Sequence, residues 1–330
     1  MSTPQHIEAL KGAKNCPVWH DPAIMPEVQP ALDGDISCEL LIVGGGFTGL
    51  WAAMQARERS PEADIVLIEQ TFVADGASGR CGGMLNQSLA HGESNVAHRF
   101  ADEAEQLEEL GEQNVRELLD TLERFGIDAR YENTGFLDVA VDPDSVHALR
   151  SEYEEEKEAG EDVVWFDRDA VRKQVNSPRF HAGLWHRGSE DGIVDPARLC
   201  WGLKDVLLNR LGVRIFEGTR LLSVKPSGKD KMKAHCENGV IDCARVLLAT
   251  NAFTSSVSRF RRTIIPVWDY QIATEPLTEE QLERINWGKS RQALDTYRKM
   301  FHYFRMTRDN RITFGGGGQV RYYFNRGTDK

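Results

Sequence analysis

The chain has 330 residues, of which 40 are lysine or arginine and 51 are aspartate or glutamate, so its formal net charge is −11 at pH 7. An excess of negative charge argues against binding to nucleic acid or to an anionic membrane surface. The length is sufficient for two domains, and we predict no membrane span because glycines interrupt the longest apolar stretch.

The N-terminal segment and the cysteines bear on the cellular compartment in which we expect the protein. Residues 1–37 contain five prolines, which predicts an extended arm over the surface. We expect no signal peptide, since no basic segment followed by an apolar one is present. The cysteines are scattered and lack CxxC spacing, which predicts reduced thiols, a cytoplasmic location and no metal site. They are Cys16, Cys38, Cys81, Cys200, Cys236 and Cys243.

An apolar strand at residues 38–43 runs directly into a glycine-rich turn and then a helix-forming stretch. In this GxGxxG pattern Gly44 allows a sharp turn, Gly46 allows backbone to approach a pyrophosphate, and Gly49 allows the helix to pack on the strand. The helix N-terminus then presents free N–H groups and partial positive charge to the phosphates. This spacing predicts a dinucleotide site.

A second apolar run at residues 65–68 ends in Glu69, which lies 25 residues after Gly44. A carboxylate at the end of the second strand can accept hydrogen bonds from an adenosine ribose. Strand, glycines, helix, second strand and acid occur in the order that a dinucleotide-binding unit requires.

The segment 76–83 decides between nicotinamide and flavin cofactors. It offers the Ser78 hydroxyl, the Arg80 guanidinium and the backbone amides of Gly82 and Gly83. Such a loop suits a second contact with a diphosphate, or the edge of a ring, better than a nicotinamide site. The alternative interpretation is a charged surface loop.

The middle of the chain predicts helices and a separate sheet. Apolar spacing indicates a helix over residues 101–126, and residues 126–132 and 135–141 have the pattern of strands. We interpret the acidic stretch 152–158 as a solvated helix face rather than a binding surface for a partner.

The next segment returns to the first unit. Asp195 and Pro196 predict a helix start, and Gly212 predicts its end. Residues 213–216 then form a parallel strand, and residues 244–249 form another. Because ligands bind beyond the carboxyl ends of parallel strands, the residues after this last strand should face the cofactor.

From residue 264 onward three alternating stretches predict an antiparallel sheet, at residues 270–275, 301–306 and 311–314. Gly315–Gly318 precedes no helix, so we interpret it as a strand end rather than a second dinucleotide-binding fingerprint of the kind at Gly44–Gly49. Arg305 could bind a substrate carboxylate through two hydrogen bonds or pair with a neighbour on an adjacent strand.

These motifs together resemble the FAD-dependent oxidoreductases of the D-amino-acid oxidase type, and within that family the gamma-glutamylputrescine oxidases. The resemblance extends from about residue 15 to about residue 320. Besides the fingerprint, Glu69 and the 76–83 loop, it rests on Asp191–Pro196, Leu248–Phe253, Thr274–Pro276, Tyr303–Arg305 and Gly315–Gly317.

The resemblance implies an α/β fold in which a Rossmann-like FAD-binding domain is interleaved with a substrate domain that contains a mostly antiparallel sheet. The FAD-binding domain would comprise residues 38–100 and 186–262, and the substrate domain residues 101–185 and 263–330. The antiparallel sheet would cover the flavin. The family continues past residue 330, so we expect a truncated or split member, and a partner chain that supplies the missing segment.

The resemblance also implies the residues that contact FAD. They are Gly44, Gly46, Phe47, Thr48, Gly49, Glu69, Gln70, Ser78, Gly79, Arg80, Cys81, Gly82, Gly83, Met84, Leu221, Ala249, Thr250 and Asn251. We predict that FAD is held without a covalent bond. Cys81 stands where the family usually has asparagine, and its position beside Arg80 and amide dipoles predicts a nucleophilic thiol and leaves a covalent link as the alternative.

The resemblance implies oxidation of the C–N bond of a primary or secondary amine or amino acid to an imine by hydride transfer to flavin. The histidines form no evident dyad, and the weak catalytic candidates are His91, Tyr270, Tyr303 and Arg305. Two alternatives remain: an FAD-binding fragment that is inactive or needs a partner, and an NAD(P)-dependent dehydrogenase.

Overall fold

The computed structural model describes residues 11–89, 93–287 and 289–317. Its strands are β1 (Ile36–Val43), β2 (Ile65–Ile68), β3 (Met84–Leu85), β4 (Phe136–Ala140), β5 (Val163–Phe166), β6 (Ala182–His186), β7 (Gly192–Ile193), β8 (Arg214–Phe216), β9 (Leu221–Pro226), β10 (Met232–Cys236), β11 (Gly239–Leu248), β12 (Gln271–Ala273), β13 (Ala293–Thr296), β14 (His302–Met306) and β15 (Ile312–Gly316).

Helices occupy the segments between the strands. They are α1 (Phe47–Arg59), α2 (Glu93–Arg99), α3 (Ala104–Phe125), α4 (Pro143–Ala159), α5 (Arg168–Gln174), α6 (Pro196–Asn209) and α7 (Glu279–Ile285), with short 3₁₀ turns elsewhere. None of these helices is long and apolar enough to span a membrane. All six cysteines are free thiols.

A six-stranded sheet in the order β8-β2-β1-β11-β10-β9 contains the predicted nucleotide-binding strands. Strands β8, β2, β1 and β11 are parallel, and β10 and β9 continue the sheet as antiparallel strands. Val43 is in register with Ile68 and with Leu248. The carboxyl ends of three parallel strands therefore meet at one edge, where such sheets bind ligands.

Two helices, α1 and α6, contact one another and share an apolar core cluster with the first sheet. Helix α6 begins as predicted, because the Asp195 side chain accepts a hydrogen bond of 3.1 Å from the Arg198 N–H and Pro196 occupies the first turn. It ends at Asn209, slightly before the predicted Gly212, whose φ of +64° places it in the following turn.

A seven-stranded sheet in the order β12-β15-β14-β13-β4-β6-β5 contains the predicted antiparallel strands. Only the β13–β4 pair is parallel. The strand predicted at residues 126–132 is wrong: a single bridge joins Glu132 to Ile193. Gly126 and Arg130 have φ values of +66° and +52°, and the Asp128 side chain accepts the Arg130 N–H, so this segment turns instead of extending.

The described part of the N-terminal segment, residues 11–35, is mostly exposed and has no helix or strand, but Trp19 and Leu32 are buried, so the segment is fastened to the protein at these points. The Lys204 ammonium, inside the first unit, donates to the Glu27 carbonyl at 2.8 Å and to the Glu217 carboxylate at 2.6 Å. Glu217 also accepts the N–H of Gln29. Backbone hydrogen bonds to a buried ion pair thus fix this segment, which no local sequence pattern indicates.

The acidic stretch of α4 is only partly solvated, which corrects the sequence interpretation. Glu156 is 7% exposed, and its carboxylate lies 3.3 Å from the His186 ring, which Asp138 approaches to 3.2 Å on the other nitrogen. Burial alone would lower the pKa of His186, but the hydrogen bonds and negative charges of both carboxylates outweigh it and raise that pKa to about 10.

A further carboxyl group, Asp295, adjoins this cluster, since its strand places it in register with Asp138. Its Oδ1 is buried without a hydrogen-bond partner in the part of the chain that the structure describes. Burial and, secondarily, the Asp138 charge raise the pKa of Asp295 to about 8. The side chain therefore holds a proton in the folded state under conditions in which an unfolded chain would release it.

We predict that Asp295 makes stability fall with rising pH. Its folded pKa is above the unfolded value, so its contribution is complete below about pH 4 and is lost as pH rises through about 8. Asp295→Asn, which cannot ionise, should remove this loss, and urea unfolding at about pH 5 and about pH 8.5 measures it. His186 remains in the variant, so its own loss of stability, between about 6.5 and about 10, should persist.

The matched control is Asp230→Asn, which neutralises an exposed carboxylate. An equal decline of unfolding free energy with pH in wild type and Asp295→Asn would contradict the assignment.

Candidate cofactor site

The fingerprint turn, residues 44–49, connects β1 to α1. At this turn backbone segments lie so close together that there is no room for side chains. A Cβ at Gly44, whose φ is +117°, would collide with the carbonyl oxygen of Ala249. A Cβ at Gly49 would collide with the Gly44 carbonyl oxygen. Two of the three fingerprint glycines are therefore required by packing between β1, α1 and the end of β11.

The N-cap residue of α1, Gly46, has no side chain that could accept a helix N–H. The Ser78 hydroxyl accepts the Phe47 N–H at 3.0 Å, and the exposed Thr48 follows. The first turn contains no acidic residue. The positive end of the helix dipole therefore remains available to an anionic group.

Glu69 lies where β2 ends, next to the fingerprint turn. Its carboxylate accepts the N–H of Gly45 at 2.7 Å and that of Thr71 at 3.1 Å. Its carbonyl accepts the N–H of Thr219 at 2.8 Å, which brings the start of β9 beside it. In this neighbourhood Gln70 is exposed, and the Leu221 side chain packs into the core cluster of the first sheet.

The end of β11 lies at the same sheet edge. Ala249 donates its N–H to the Val43 carbonyl at 2.9 Å, which continues the parallel pairing to the fingerprint turn. The Thr250 hydroxyl lies 2.7 Å from that of Thr254, and Asn251 has a φ of +40° at the start of a 3₁₀ turn. The structure thus brings these residues together with the glycines, as the strand-end rule predicted.

The cofactor loop, residues 78–84, follows β2. Arg80 folds back on Asp75, with Nη2 2.8 Å from the carboxylate and Nε 2.5 Å from the carbonyl. A Cβ at Gly79 would collide with the Ala74 carbonyl oxygen. The Arg80 guanidinium, expected to contact a phosphate, is thus already paired with a carboxylate.

Cys81 does not have the depressed pKa that its neighbours suggested. Removal of water from the thiol raises the pKa, although part of the residue is exposed, and the opposing effects of the Gly83 amide and the Arg305 charge are smaller. The thiol is therefore protonated near neutral pH, which makes it a weaker nucleophile than the sequence interpretation assumed.

Arg305 is buried and uses its guanidinium for backbone carbonyls, so it is not placed as a bidentate clamp for a carboxylate. It is 3% exposed, and its Nη1 donates to the carbonyl oxygens of Gly83 and Val194, each at 2.6 Å. The side chain on β14 therefore fixes the end of the cofactor loop. Met84, next in the chain, packs with Phe136, Ile193 and Ala293.

The Tyr303 ring lies against Gly82, since a Cβ built on that glycine would be 3.3 Å from the ring. The phenol donates to Asp269 at 3.1 Å, and burial followed by the Asp269 charge raises the pKa of Tyr303 above its ordinary value. Tyr270 is exposed, and His91 lies outside the described residues.

Sequence reasoning missed Gln271. Its Nε2 is buried without a hydrogen-bond partner among the described residues, and it would be 3.5 Å from a Cβ at Gly82. The strand register explains why the sequence did not indicate Gln271. Gln271 on β12 pairs with Gly315 on β15, and Gly315 pairs with Tyr303 on β14, so the strand order brings Gln271 to the loop.

The donor atoms of Glu152, Glu156 and His186 lie within 4.8 Å of one another, a spacing that a metal ion could bridge. The Glu152 carboxylate accepts the Tyr297 hydroxyl at 2.5 Å, and the His186 ring lies between Glu156 and Asp138. These groups form a charge-paired cluster around the histidine.

Comparison with known proteins agrees with this geometry. The model of the family "FAD dependent oxidoreductase" (DAO) matches residues 39–330. The chain is 27% identical over 292 residues to gamma-glutamylputrescine oxidoreductase of Escherichia coli (strain K12), covering 87% of this chain and 66% of that one. It is 27% identical over 309 residues to the probable oxidoreductase OrdL of Rhizobium meliloti (strain 1021), covering 90% and 68%.

Solved structures show the same fold. Glycine oxidase from Geobacillus kaustophilus superimposes with a TM-score of 0.66 at 18% identity, over 87% of this chain and 72% of that one. L-proline dehydrogenase from P. horikoshii gives 0.63 at 20% identity, over 88% and 71%. Since the family model spans the fingerprint turn, Glu69, the cofactor loop and both sheet edges around them, the chain belongs to the FAD-dependent oxidoreductase (DAO) family.

Proposed function

We propose that this protein oxidises the C–N bond of a primary or secondary amine or amino acid to an imine, with non-covalently held FAD as the hydride acceptor, in the cytoplasm. The observation that carries the proposal is the uncapped N-terminus of α1 at a glycine turn, beside the Glu69 carboxylate. The name of the Escherichia coli relative supports an amine substrate, and the free thiols support a reducing compartment.

The residues present fit a dinucleotide. The fingerprint turn leaves a surface without side chains at the positive end of a helix, which suits a diphosphate. The Glu69 carboxylate at the neighbouring strand end suits ribose hydroxyls, for which it would exchange its hydrogen bonds to Gly45 and Thr71. Because the Cys81 thiol is protonated, a covalent link through it is disfavoured.

Bound flavin supplies the acceptor for a hydride from a C–H bond next to an amine nitrogen. The chain contributes surfaces around it. Tyr303 and Gln271 lie against Gly82 of the cofactor loop, where the Tyr303 ring would exclude water. Its phenol stays protonated at neutral pH and donates to Asp269, while Gln271 Nε2, which has no partner among the described residues, is the donor closest to this loop that a polar substrate group could use.

One alternative remains open. The other, an NAD(P)-dependent dehydrogenase, is overturned by the match to the FAD-dependent oxidoreductase family. An FAD-binding fragment that needs a partner is motivated by exposed apolar side chains, such as Ile265 at 73%, Val267 at 59% and Ile272 at 59%. Such surface is typical of an interface, so a partner chain that covers it is part of this alternative.

We predict that Gly46→Val abolishes FAD binding, because its added methyl groups occupy the approach of the pyrophosphate. A Cβ at Gly46 would also lie 2.8 Å from the Ser78 hydroxyl, so the informative variant is Gly46→Val with Ser78→Ala, which relieves that contact. Flavin content per purified chain is measured against Ser78→Ala alone. Equal flavin content in the two proteins would refute the cofactor site.

Glu69→Ala should weaken FAD binding by about 1.5–3 kcal/mol, the range for hydrogen bonds to a charged group. The measurement is a titration of FAD fluorescence. Glu62→Ala, which removes an exposed carboxylate beyond the N-terminal side of β2, serves as the control and should bind FAD as wild type does. Equal affinities of Glu69→Ala and the control would remove Glu69 from the site.

The reaction itself is tested by colour. A yellow protein that releases all its flavin into the supernatant on acid precipitation supports non-covalent FAD, and flavin in the pellet contradicts it. Anaerobic addition of single amines and amino acids should bleach the flavin absorbance with at least one compound. A colourless protein that takes up no added FAD contradicts the proposal, and a yellow protein that no compound bleaches supports the fragment.

A further inference from the structure

The N-terminal segment donates a hydrogen bond to the backbone of the cofactor loop. The indole N–H of Trp19 donates to the Cys81 carbonyl oxygen at 2.8 Å, across 62 residues of sequence. Trp19 is 6% exposed. The next residue, His20, makes a similar contact, with its Nε2 3.0 Å from the Ala74 carbonyl oxygen. The segment therefore contacts one backbone carbonyl of the loop, that of Cys81, and one that precedes the loop, that of Ala74.

Arg305 holds the same loop from the second sheet. Its guanidinium carbon lies 4.9 Å from the centre of the Trp19 ring, and its Nη1 donates to Gly83 and Val194. Burial lowers the pKa of Arg305 to about 10, which still leaves the group charged near neutral pH. Cation–π contact and two charge-assisted hydrogen bonds thus join Trp19, Arg305 and the loop into one unit.

We propose that Trp19 and Arg305 are positioning residues that together orient the Cys81–Gly83 backbone toward the flavin ring. The inference rests on the proposed FAD site. Neither residue touches the cofactor in this assignment, and both act through the peptide groups of the loop.

Peptide geometry gives the physical reason. In a planar trans peptide the C=O and the following N–H point in opposite directions. Because the Cys81 carbonyl points toward Trp19, the N–H of the next residue, Gly82, points away from Trp19. Gly82 is also the residue against which Tyr303 and Gln271 lie. A fixed N–H donor can stabilise the negative charge that a flavin gains on reduction.

Glycine at position 83 is part of the same arrangement. Gly83 has a φ of +69°, and a Cβ there would lie 2.8 Å from Arg305 Nη1 and would collide with the Val194 carbonyl oxygen. The close approach of the guanidinium to the loop thus requires the absence of a side chain.

The test compares wild type with Trp19→Phe, which keeps an aromatic ring of smaller size and removes the indole N–H, and Arg305→Lys, which keeps the charge and removes the planar guanidinium group. Each should weaken FAD binding roughly 2- to 10-fold, the effect of one hydrogen bond, and should lower the flavin reduction potential. Without FAD, each should change the alkylation rate of Cys81, followed by peptide mass spectrometry so that Cys16 is resolved.

A second tryptophan–arginine contact provides matched controls. Arg150 lies 5.0 Å from the centre of the Trp165 ring, on α4 and β5, and its hydrogen bond is with Glu154 of the same helix. Trp165→Phe and Arg150→Lys should leave FAD affinity, reduction potential and Cys81 alkylation as in wild type.

The outcomes distinguish failure of the proposed FAD site from failure of the positioning role. A wild-type chain that binds no FAD refutes the proposed function, while Cys81 alkylation still reports whether the loop is held. Alkylation rates of Trp19→Phe equal to those of Trp165→Phe overturn the positioning role, as do equal FAD affinities and potentials. If Arg305→Lys fails to fold by circular dichroism, Trp19→Phe decides alone.

Discussion

The candidate site depends on one steric constraint: three backbone segments meet at the fingerprint turn with no space for a Cβ. Gly44 touches the end of β11, and Gly49 touches Gly44. These contacts set how closely α1 lies over β1, and therefore where its uncapped amides point. The same edge receives Glu69 from β2 and Ala249 from β11. Phosphate recognition by a helix N-terminus is thus a consequence of how tightly strand and helix pack.

A buried ion pair holds the surroundings of that edge. Lys204 and Glu217 have side chains 3% and 1% exposed and lie 2.6 Å apart. Glu217 also accepts the N–H groups of Val73, just before the cofactor loop, and of Gln29 in the N-terminal segment. A buried pair is stable when its remaining hydrogen-bonding capacity is used, as it is here, whereas loss of one partner would leave an uncompensated charge. The ion pair therefore couples the N-terminal segment, the residues between β2 and the loop, and α6.

Charge in the second sheet shows how tertiary contacts change chemistry. His186 is flanked by Asp138 and Glu156 and keeps its proton well above its ordinary pKa, while Asp295 beside Asp138 keeps its proton for the opposite reason, because charge there would be unfavourable. Both groups lie in one continuous sheet that also carries Tyr303 and Arg305 to the cofactor loop. Their titration makes the stability of this sheet depend on pH.

The sequence by itself determined the strand–turn–helix unit, the second strand with its terminal acid, α6 with its cap and the antiparallel stretches, because period, glycine spacing and capping are local properties. Only the tertiary structure decided that Trp19 is buried against the loop, that Arg80 pairs with Asp75, that Arg305 binds backbone carbonyls, and that part of the acidic helix face is buried on His186. Each of these contacts joins residues of separate elements or turns through geometry that spacing along the chain does not encode. The choice of partner for a charged side chain depends on which groups burial leaves within reach.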